Sequence, residues 1–301
     1  MPIFRGFPSL RSWKSNARVE YTIEHQTTYH YPEGVAESYT IVHLQPRSDQ
    51  LQYCTRFLLE LRPRVRFQTY TDRYGNDVQH FAILPDHDRL TITTHSNVVT
   101  LAERNPMAPD DATRATLRAD PRIERHYDFV HESAFVQFGP RLDAFRREVG
   151  PAGDDIGAWC RHVMQFINAN FVYDTKATTV RTTVDEALKK RAGVCQDFAH
   201  IMIAALRNEG IPARYASGYI FRGESPILGA EASHAWCEAY LPPHGWIGFD
   251  PTNNLLVNDY FVKIALGRDY RDVSPVRGVY RGSMRSEMHV NVAMDALTTS
   301  H

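Results

Sequence analysis

Cysteine is scarce in this sequence and widely spaced. Among 301 residues only Cys54, Cys160, Cys195 and Cys237 occur, which excludes the dense cysteine framework of a small disulfide-stabilised secreted domain. A chain of this length buries enough apolar surface to fold without disulfides or a structural metal. We therefore expect reduced thiols and a cytoplasmic location.

Long apolar runs are also missing. No stretch reaches the roughly 18 apolar residues of a membrane span. Residues 1–18 carry Arg5, Arg11, Lys14 and Arg18, but they lack the apolar run of about 7–15 residues that a secretory signal needs. The sequence predicts a disordered or extended N-terminus over residues 1–18 and no membrane partner.

Neither sign of charge is in excess, because 34 Lys and Arg face 35 Asp and Glu for a formal net charge of -1. Nucleic-acid-binding domains usually carry a basic surface, so we expect no nucleic acid partner. A Gly-rich phosphate loop after a strand and a calcium loop of the D-x-[DN]-x-[DN]-G type are both absent. We expect no cofactor, and the oligomeric state stays open.

Residues 19–103 have the pattern of a β-rich domain. Val19, Tyr21 and Ile23 alternate with polar neighbours, and further runs of β-branched and aromatic residues follow, with a turn signal at residues 72–77. Several short strands of this kind favour a sandwich-like N-terminal domain.

The rest of the chain changes to helices and then back to strands. Residues 104–122 are polar, hold three prolines and have no apolar period, as is typical of a linker. Residues 123–275 contain helices followed by candidate antiparallel strands, and residues 276–301 form a C-terminal tail with a possible strand. This order predicts an α+β fold in which a buried helix packs on an antiparallel sheet.

The segment that starts at Cys195 predicts the buried helix. Positions i+3, i+4, i+7 and i+11 from Cys195 are apolar, other faces are largely apolar too, and Gly210 and Pro212 mark the end. A cysteine at a helix start meets the positive end of the helix dipole, which favours the thiolate. Cys195 is therefore the candidate nucleophile, its N–H is a candidate oxyanion donor, and Gly193 permits a tight backbone approach.

Two later residues supply the partners that a thiolate needs, a base and a group that orients the base. His234 lies in the predicted strand SHAWCEAYL, and Asp250 ends the next strand, GWIGFD, after a short PPHG connection. The period of two along adjacent antiparallel strands puts both side chains on one face. A helix packed on that face would bring Cys195 to His234. The sequence thus predicts a Cys195–His234–Asp250 site.

These motifs also carry a family resemblance. GVC at Cys195, HAW at His234 and GFDPT at Asp250 resemble, in this order and over roughly residues 150–275, the core of bacterial transglutaminase-like proteins, some described as candidate cysteine proteases. Residues 19–101 resemble the N-terminal region that accompanies this core in one bacterial branch. The resemblance implies a papain-like core and acyl transfer through a thioester on a peptide or protein amide substrate.

Other hypotheses stay open. Cys195 with His200 and His234 with Cys237 offer zinc ligands, although helix and strand geometry points the members of each pair in different directions, and we expect no metal. A peptide- or protein-binding module would keep the fold without turnover. We expect an enzyme, which is a protease or amidase if water resolves the thioester and a transglutaminase-like acyltransferase if an amine does.

Overall fold

The computed structural model describes residues 18–101, 109–223, 227–229, 233–282 and 285–297. The N-terminal part is built of strands β1 (Arg18–Val42), β2 (Gln52–Arg62), β3 (Phe67–Thr71), β4 (Asp77–Ile83) and β5 (His87–Leu101). Helices dominate next: α1 (Arg114–Ala119), a 3₁₀ helix (Ile123–Phe129), α2 (Pro140–Val149), α3 (Ile156–Asn170), α4 (Val184–Lys190) and α5 (Cys195–Asn208). Two short strands lie among them, β6 (Val172–Tyr173) before α4 and β7 (Ala192–Gly193) before α5. Strands then return as β8 (Ala213–Ile220), β9 (His234–Leu241), β10 (Gly245–Asp250), β11 (Leu255–Leu256), β12 (Phe261–Gly267), α6 (Tyr270–Val273), β13 (Val276–Gly282) and β14 (Glu287–Leu297).

Strand β1 organises the N-terminal sheet because its two halves pair with different neighbours. The first half lies between β5 and β14 and the second between β4 and β13, and all four pairings are antiparallel. The pairing with β5 shifts register between His30 and Val35. The first half contributes Val19, Tyr21 and Ile23 to the large core that also contains α5. A separate apolar core of this sheet consists of Tyr31, Val35, Val42, Leu44, Leu59, Leu61, Phe81, Ile83, Leu90 and Ile92. The predicted β-rich N-terminal region is confirmed.

The described residues of the predicted C-terminal tail, residues 276–301, form two strands of this sheet. Strand β14 pairs with β1 from Glu20 to His30, and β13 pairs with β1 from Val35 to Val42. The possible strand near the end of the chain is therefore present, but β13 was not predicted. Six of its seven residues are exposed, so it lacks the alternation that marks a strand in a sequence.

The predicted linker, residues 104–122, is described only from residue 109. That part contains α1, begun by a capping box between Thr113 and Thr116. It also contributes Ala112 and Leu117 to the large core, so this stretch is packed where the sequence predicted a connection. Residues 1–17 of the predicted N-terminal extension lie outside the described residues, and Arg18 already belongs to β1.

The second sheet has the strand order β11-β10-β9-β8-β12, and its neighbouring strands pair antiparallel. Helix α5 packs on it, and each residue from Cys195 to Arg207 is buried. The predicted α+β class, with a buried helix on an antiparallel sheet, is confirmed. The longest helix, α3, has 15 residues, and within the described ranges no helix is long and apolar enough to cross a membrane.

Two amide side chains fasten the N-terminal sheet to the core sheet. Gln52 donates through Nε2 to the carbonyl of Lys263 and accepts from its N–H, both at 2.7 Å. Asn76 pairs with the backbone of Leu266 in the same way, at 2.8 Å each. Each amide thus takes the place of a neighbouring strand, which satisfies backbone groups at the edge of β12.

Candidate active site

The three residues predicted to act together lie at the ends of three elements. Cys195 is the first residue of α5, His234 is the first residue of β9, and Asp250 is the last residue of β10. Strands β9 and β10 are antiparallel neighbours, which brings the start of one beside the end of the other. Cys195 is 9% exposed, and the side chains of His234 and Asp250 are fully buried. The structure thus places all three in one enclosed region.

The body of α5 packs on the face of β9 opposite the one predicted. The large core that contains α5 includes Ala235, Cys237 and Ala239, which alternate with His234 along the strand. Trp236, on the His234 side, belongs to a separate cluster with Phe261. Cys195 still meets His234 because each stands at the first position of its element, where the helix start and the strand start come together.

His234 is held by Asp250. Its Nε2 donates to Asp250 Oδ2 at 2.8 Å, and Asp250 Oδ1 in turn accepts from the backbone N–H of Thr252 at 2.9 Å. Burial by itself lowers the pKa of His234, but the charge and hydrogen bond of Asp250, with the nearby Cys195 sulfur, raise it to about 10. Nδ1 is buried without a regular hydrogen bond in the described part of the chain. The remaining ring nitrogen is therefore free to exchange a proton.

The start of α5 is fixed by Asp197. Its Oδ2 accepts from the backbone N–H of Val194 at 2.8 Å and from the hydroxyl of Thr178 at 2.6 Å. A carboxylate in the first turn suits the positive end of the helix dipole, and Asp197 adds a direct capping contact. As the first helical residue, Cys195 has an N–H without an intrahelical acceptor, so it is suited to hold a developing negative charge.

Residue 193 must be a glycine because the Asp197 carboxylate, which caps α5, packs directly against it. A Cβ added at Gly193 would lie 2.5 Å from Asp197 Oδ2. The tight approach that the sequence predicted at Gly193 is therefore made by the Asp197 carboxylate. A side chain at this position would push that carboxylate away from the Val194 N–H.

We expect Gly193→Ala to lower the free energy of unfolding by about 1–3 kcal/mol, the usual cost of overpacking a filled site. Chemical denaturation measures it. Gly153→Ala is the matched control, because an added Cβ there meets no atom within 4 Å, and we expect a change within about 0.5 kcal/mol. Equal stability of the two variants would contradict the packing role of Gly193.

The remaining cysteines and His200 have other surroundings. Burial raises the pKa of the Cys160 and Cys237 thiols, and Cys54 lies on β2 of the N-terminal sheet. His200 Nε2 accepts from the backbone N–H of Tyr270 at 3.1 Å, and burial lowers its pKa to about 4. Across the described residues, no group of three or more His, Cys, Asp or Glu side chains could hold a metal ion.

Sequence reasoning missed Asn253. Its Nδ2 donates to Asp250 Oδ2 at 2.8 Å, so it shares with His234 the oxygen that orients the imidazole. The only available signal was an amide residue three positions after the candidate acid, in a segment (DPTNN) rich in turn-forming residues.

Comparisons with known proteins agree on the family. The model of the transglutaminase-like superfamily matches residues 143–251, and that of the bacterial transglutaminase-like N-terminal region matches residues 21–99. An uncharacterized protein of Mycobacterium tuberculosis is 33% identical over 299 residues, covering 90% of this chain and 91% of its own. The protein-glutamine gamma-glutamyltransferase of Pseudomonas aeruginosa is 32% identical over 121 residues, 38% of this chain and 18% of that enzyme.

A solved structure matches nearly the whole chain. It belongs to a candidate cysteine protease from Cytophaga hutchinsonii, with a TM-score of 0.76, 23% sequence identity, and coverage of 95% of this chain and 93% of that one. At this identity the likeness shows the fold, which includes both the β-rich region and the core. The chain belongs to the transglutaminase-like superfamily, with the bacterial transglutaminase-like N-terminal region ahead of its core.

Proposed function

We propose that this protein catalyses acyl transfer or hydrolysis at an amide bond of a peptide or protein, through a thioester on Cys195. The observation that carries the proposal is the buried His234–Asp250 pair, joined at 2.8 Å, beside a cysteine at the first position of a buried helix. Membership of the transglutaminase-like superfamily supports the same chemistry.

The first half-reaction forms the thioester. The Cys195 proton passes to His234, and the sulfur attacks the amide carbonyl to give a tetrahedral oxyanion, which the Cys195 N–H can hold. His234 then gives its proton to the leaving nitrogen as the C–N bond breaks. Asp250 fixes the tautomer of His234 and stabilises its charged form during both proton transfers.

The second half-reaction releases the acyl group. Water or a primary amine attacks the thioester carbonyl, His234 takes the proton of the nucleophile, and the C–S bond breaks to return the thiol. Water gives a carboxylic acid and an amine gives a new amide. The Pseudomonas relative bears the name of an amine-using enzyme and the Cytophaga structure that of a candidate protease, so both outcomes belong to the proposal.

Alkylation tests the activated thiolate. We expect iodoacetamide to label Cys195 selectively below pH 7, and we expect His234→Ala to lower the labelling rate about a hundredfold, because the base is lost. Peptide mass mapping from pH 5 to pH 9 measures all four cysteines at once, and buried Cys160 and Cys237 serve as internal controls. Uniform labelling, or an unreactive Cys195 in the native protein, would favour the alternative of a binding module that keeps the fold without turnover.

An acceptor test separates the two outcomes. Native protein is incubated with casein, with and without a fluorescent primary amine, and both amine incorporation and new amino termini are measured. Incorporation lost in Cys195→Ala supports amine transfer, and new amino termini lost in the same variant support hydrolysis.

We also keep a cytoplasmic location as a prediction, on the ground that all four cysteines are free thiols.

A further inference from the structure

We propose that Asn253 is a positioning residue, which clamps Asp250 and the Leu228–Gly229 backbone around His234 and so holds the imidazole for Cys195. The inference rests on the proposed function and deepens it, because it assigns a role to a residue that does not touch the reacting atoms.

Both polar atoms of the Asn253 amide form hydrogen bonds, and together these fix the orientation of the amide. Nδ2 donates to Asp250 Oδ2 at 2.8 Å and to the carbonyl of Leu228 at 3.2 Å. Oδ1 accepts from the backbone N–H of Leu228 at 2.9 Å. The opposite amide orientation would set an oxygen against two acceptors and an NH₂ group against a donor, so these contacts fix the orientation.

Asp250 cannot turn within this arrangement. Its Oδ1 accepts from the backbone N–H groups of Thr252 and Asn253 at 2.9 and 3.4 Å, and its Oδ2 accepts from His234 and Asn253. Asp250 itself is fully buried. The plane of the carboxylate, and with it the direction in which His234 points, depends on the Asn253 donor.

Leu228, the other partner of Asn253, is followed by Gly229, which lies against the Nδ1 side of the imidazole. Gly229 has a positive φ of 81°, and an added Cβ would lie 2.6 Å from His234 Nδ1 and 3.3 Å from Cε1. The backbone next to Leu228 therefore packs against the ring at the nitrogen that must face the thiol. Asn253 thus holds Asp250, which binds Nε2 of His234, and the Leu228–Gly229 backbone, which lies near Nδ1.

The test measures the rate of Cys195 alkylation by iodoacetamide from pH 5 to pH 8 in wild type, N253A and N253D. We expect N253A to lower the rate about tenfold at every pH, because the clamp is lost without adding a charge. In N253D the new carboxyl is protonated at low pH and can still donate to Asp250. As it ionises, two carboxylates face each other at about 3 Å, which is strongly unfavourable. We therefore expect the ratio of N253D to wild type to fall about tenfold between pH 5 and pH 8.

Asn254→Asp is the matched control. It makes the same chemical change at the next residue, which is exposed, and we expect wild-type rates across the pH range. Circular dichroism checks that each variant is folded. If N253D does not fold, Asn253→Gln replaces it, since its amide is displaced by one methylene, and it is expected to react like N253A.

The outcomes separate the inference from the function on which it rests. If wild-type Cys195 shows no selective labelling that depends on His234, the proposed function fails. If wild type shows that labelling and folded N253A reacts at the wild-type rate, the positioning role of Asn253 is overturned. A ratio of N253D to wild type that stays constant with pH would likewise rule out the predicted contact between the two side chains.

Discussion

Asp250→Asn is expected to lower the rate of amide turnover by about 10³–10⁴-fold, although it changes the size of the side chain very little. The backbone N–H groups of Thr252 and Asn253 point at Oδ1, so they retain the oxygen of the new amide at that position. Its NH₂ group then faces His234 Nε2, which must become an acceptor. The imidazole proton moves to Nδ1, and the nitrogen that should accept the Cys195 proton is already protonated.

The measurement is the single-turnover rate of whichever amide reaction the wild type carries out, together with the labelling rate of Cys195. Asp111→Asn is a matched control, because Asp111 forms a similar 2.7 Å bond with His244 Nε2 at an exposed site. We expect its turnover to equal that of wild type. Turnover of Asp250→Asn within tenfold of wild type would contradict the orienting role of Asp250.

The sequence placed the ends of α5, β9 and β10 well because the signals for them are local. Gly210 adopts a positive φ of 75° just past α5, as expected of a glycine that ends a helix. The alternation of side chains along two strands joined by a short turn put His234 and Asp250 on one face, and they are bonded to each other. A period of two and a turn suffice for this inference.

The side on which α5 packs could not be read from β9. All eight of its residues are buried, including the polar His234 and Glu238 on one face, so no polar residue marks a solvent-facing side of the strand. The other face is covered by a cluster that contains Trp236 and Phe261. Strand β13 and the contacts of Asn253 were missed because they depend on long-range contacts. The partners of β13 lie far away in the sequence, and the contact with Leu228 depends on how the intervening backbone folds.

A second large effect is expected from a buried ion network in the same sheet. Glu238 lies on the same face of β9 as His234 and is 3% exposed. Its carboxylate bonds to Arg214 of β8 at 2.6 Å and to Lys263 of β12 at 2.8 Å. Lys263 also reaches Asp49 at 3.2 Å, so the network joins three core strands to the segment before β2.

We expect Glu238→Gln to lower the free energy of unfolding by about 3–5 kcal/mol, because it leaves two largely buried cations without their shared anion. Urea denaturation followed by fluorescence and circular dichroism measures it. Glu148→Gln removes the acid of an ion pair with Arg191 in which both side chains are more than 40% exposed, and we expect a loss of at most about 1 kcal/mol. A similar small loss for Glu238→Gln would contradict the network.

The same network predicts an acid-sensitive stability. Burial alone would raise the pKa of Glu238, but Lys263 and Arg214 lower it from 4.5 to about 2. A carboxyl whose pKa is lower in the folded state contributes stability that is present above its unfolded pKa and is lost as the pH falls through the folded value. The difference in unfolding free energy between wild type and Glu238→Gln should therefore be full above about pH 5 and shrink toward pH 2. A difference that stays constant over this range would mean that Glu238 stabilises the protein by packing and not by charge.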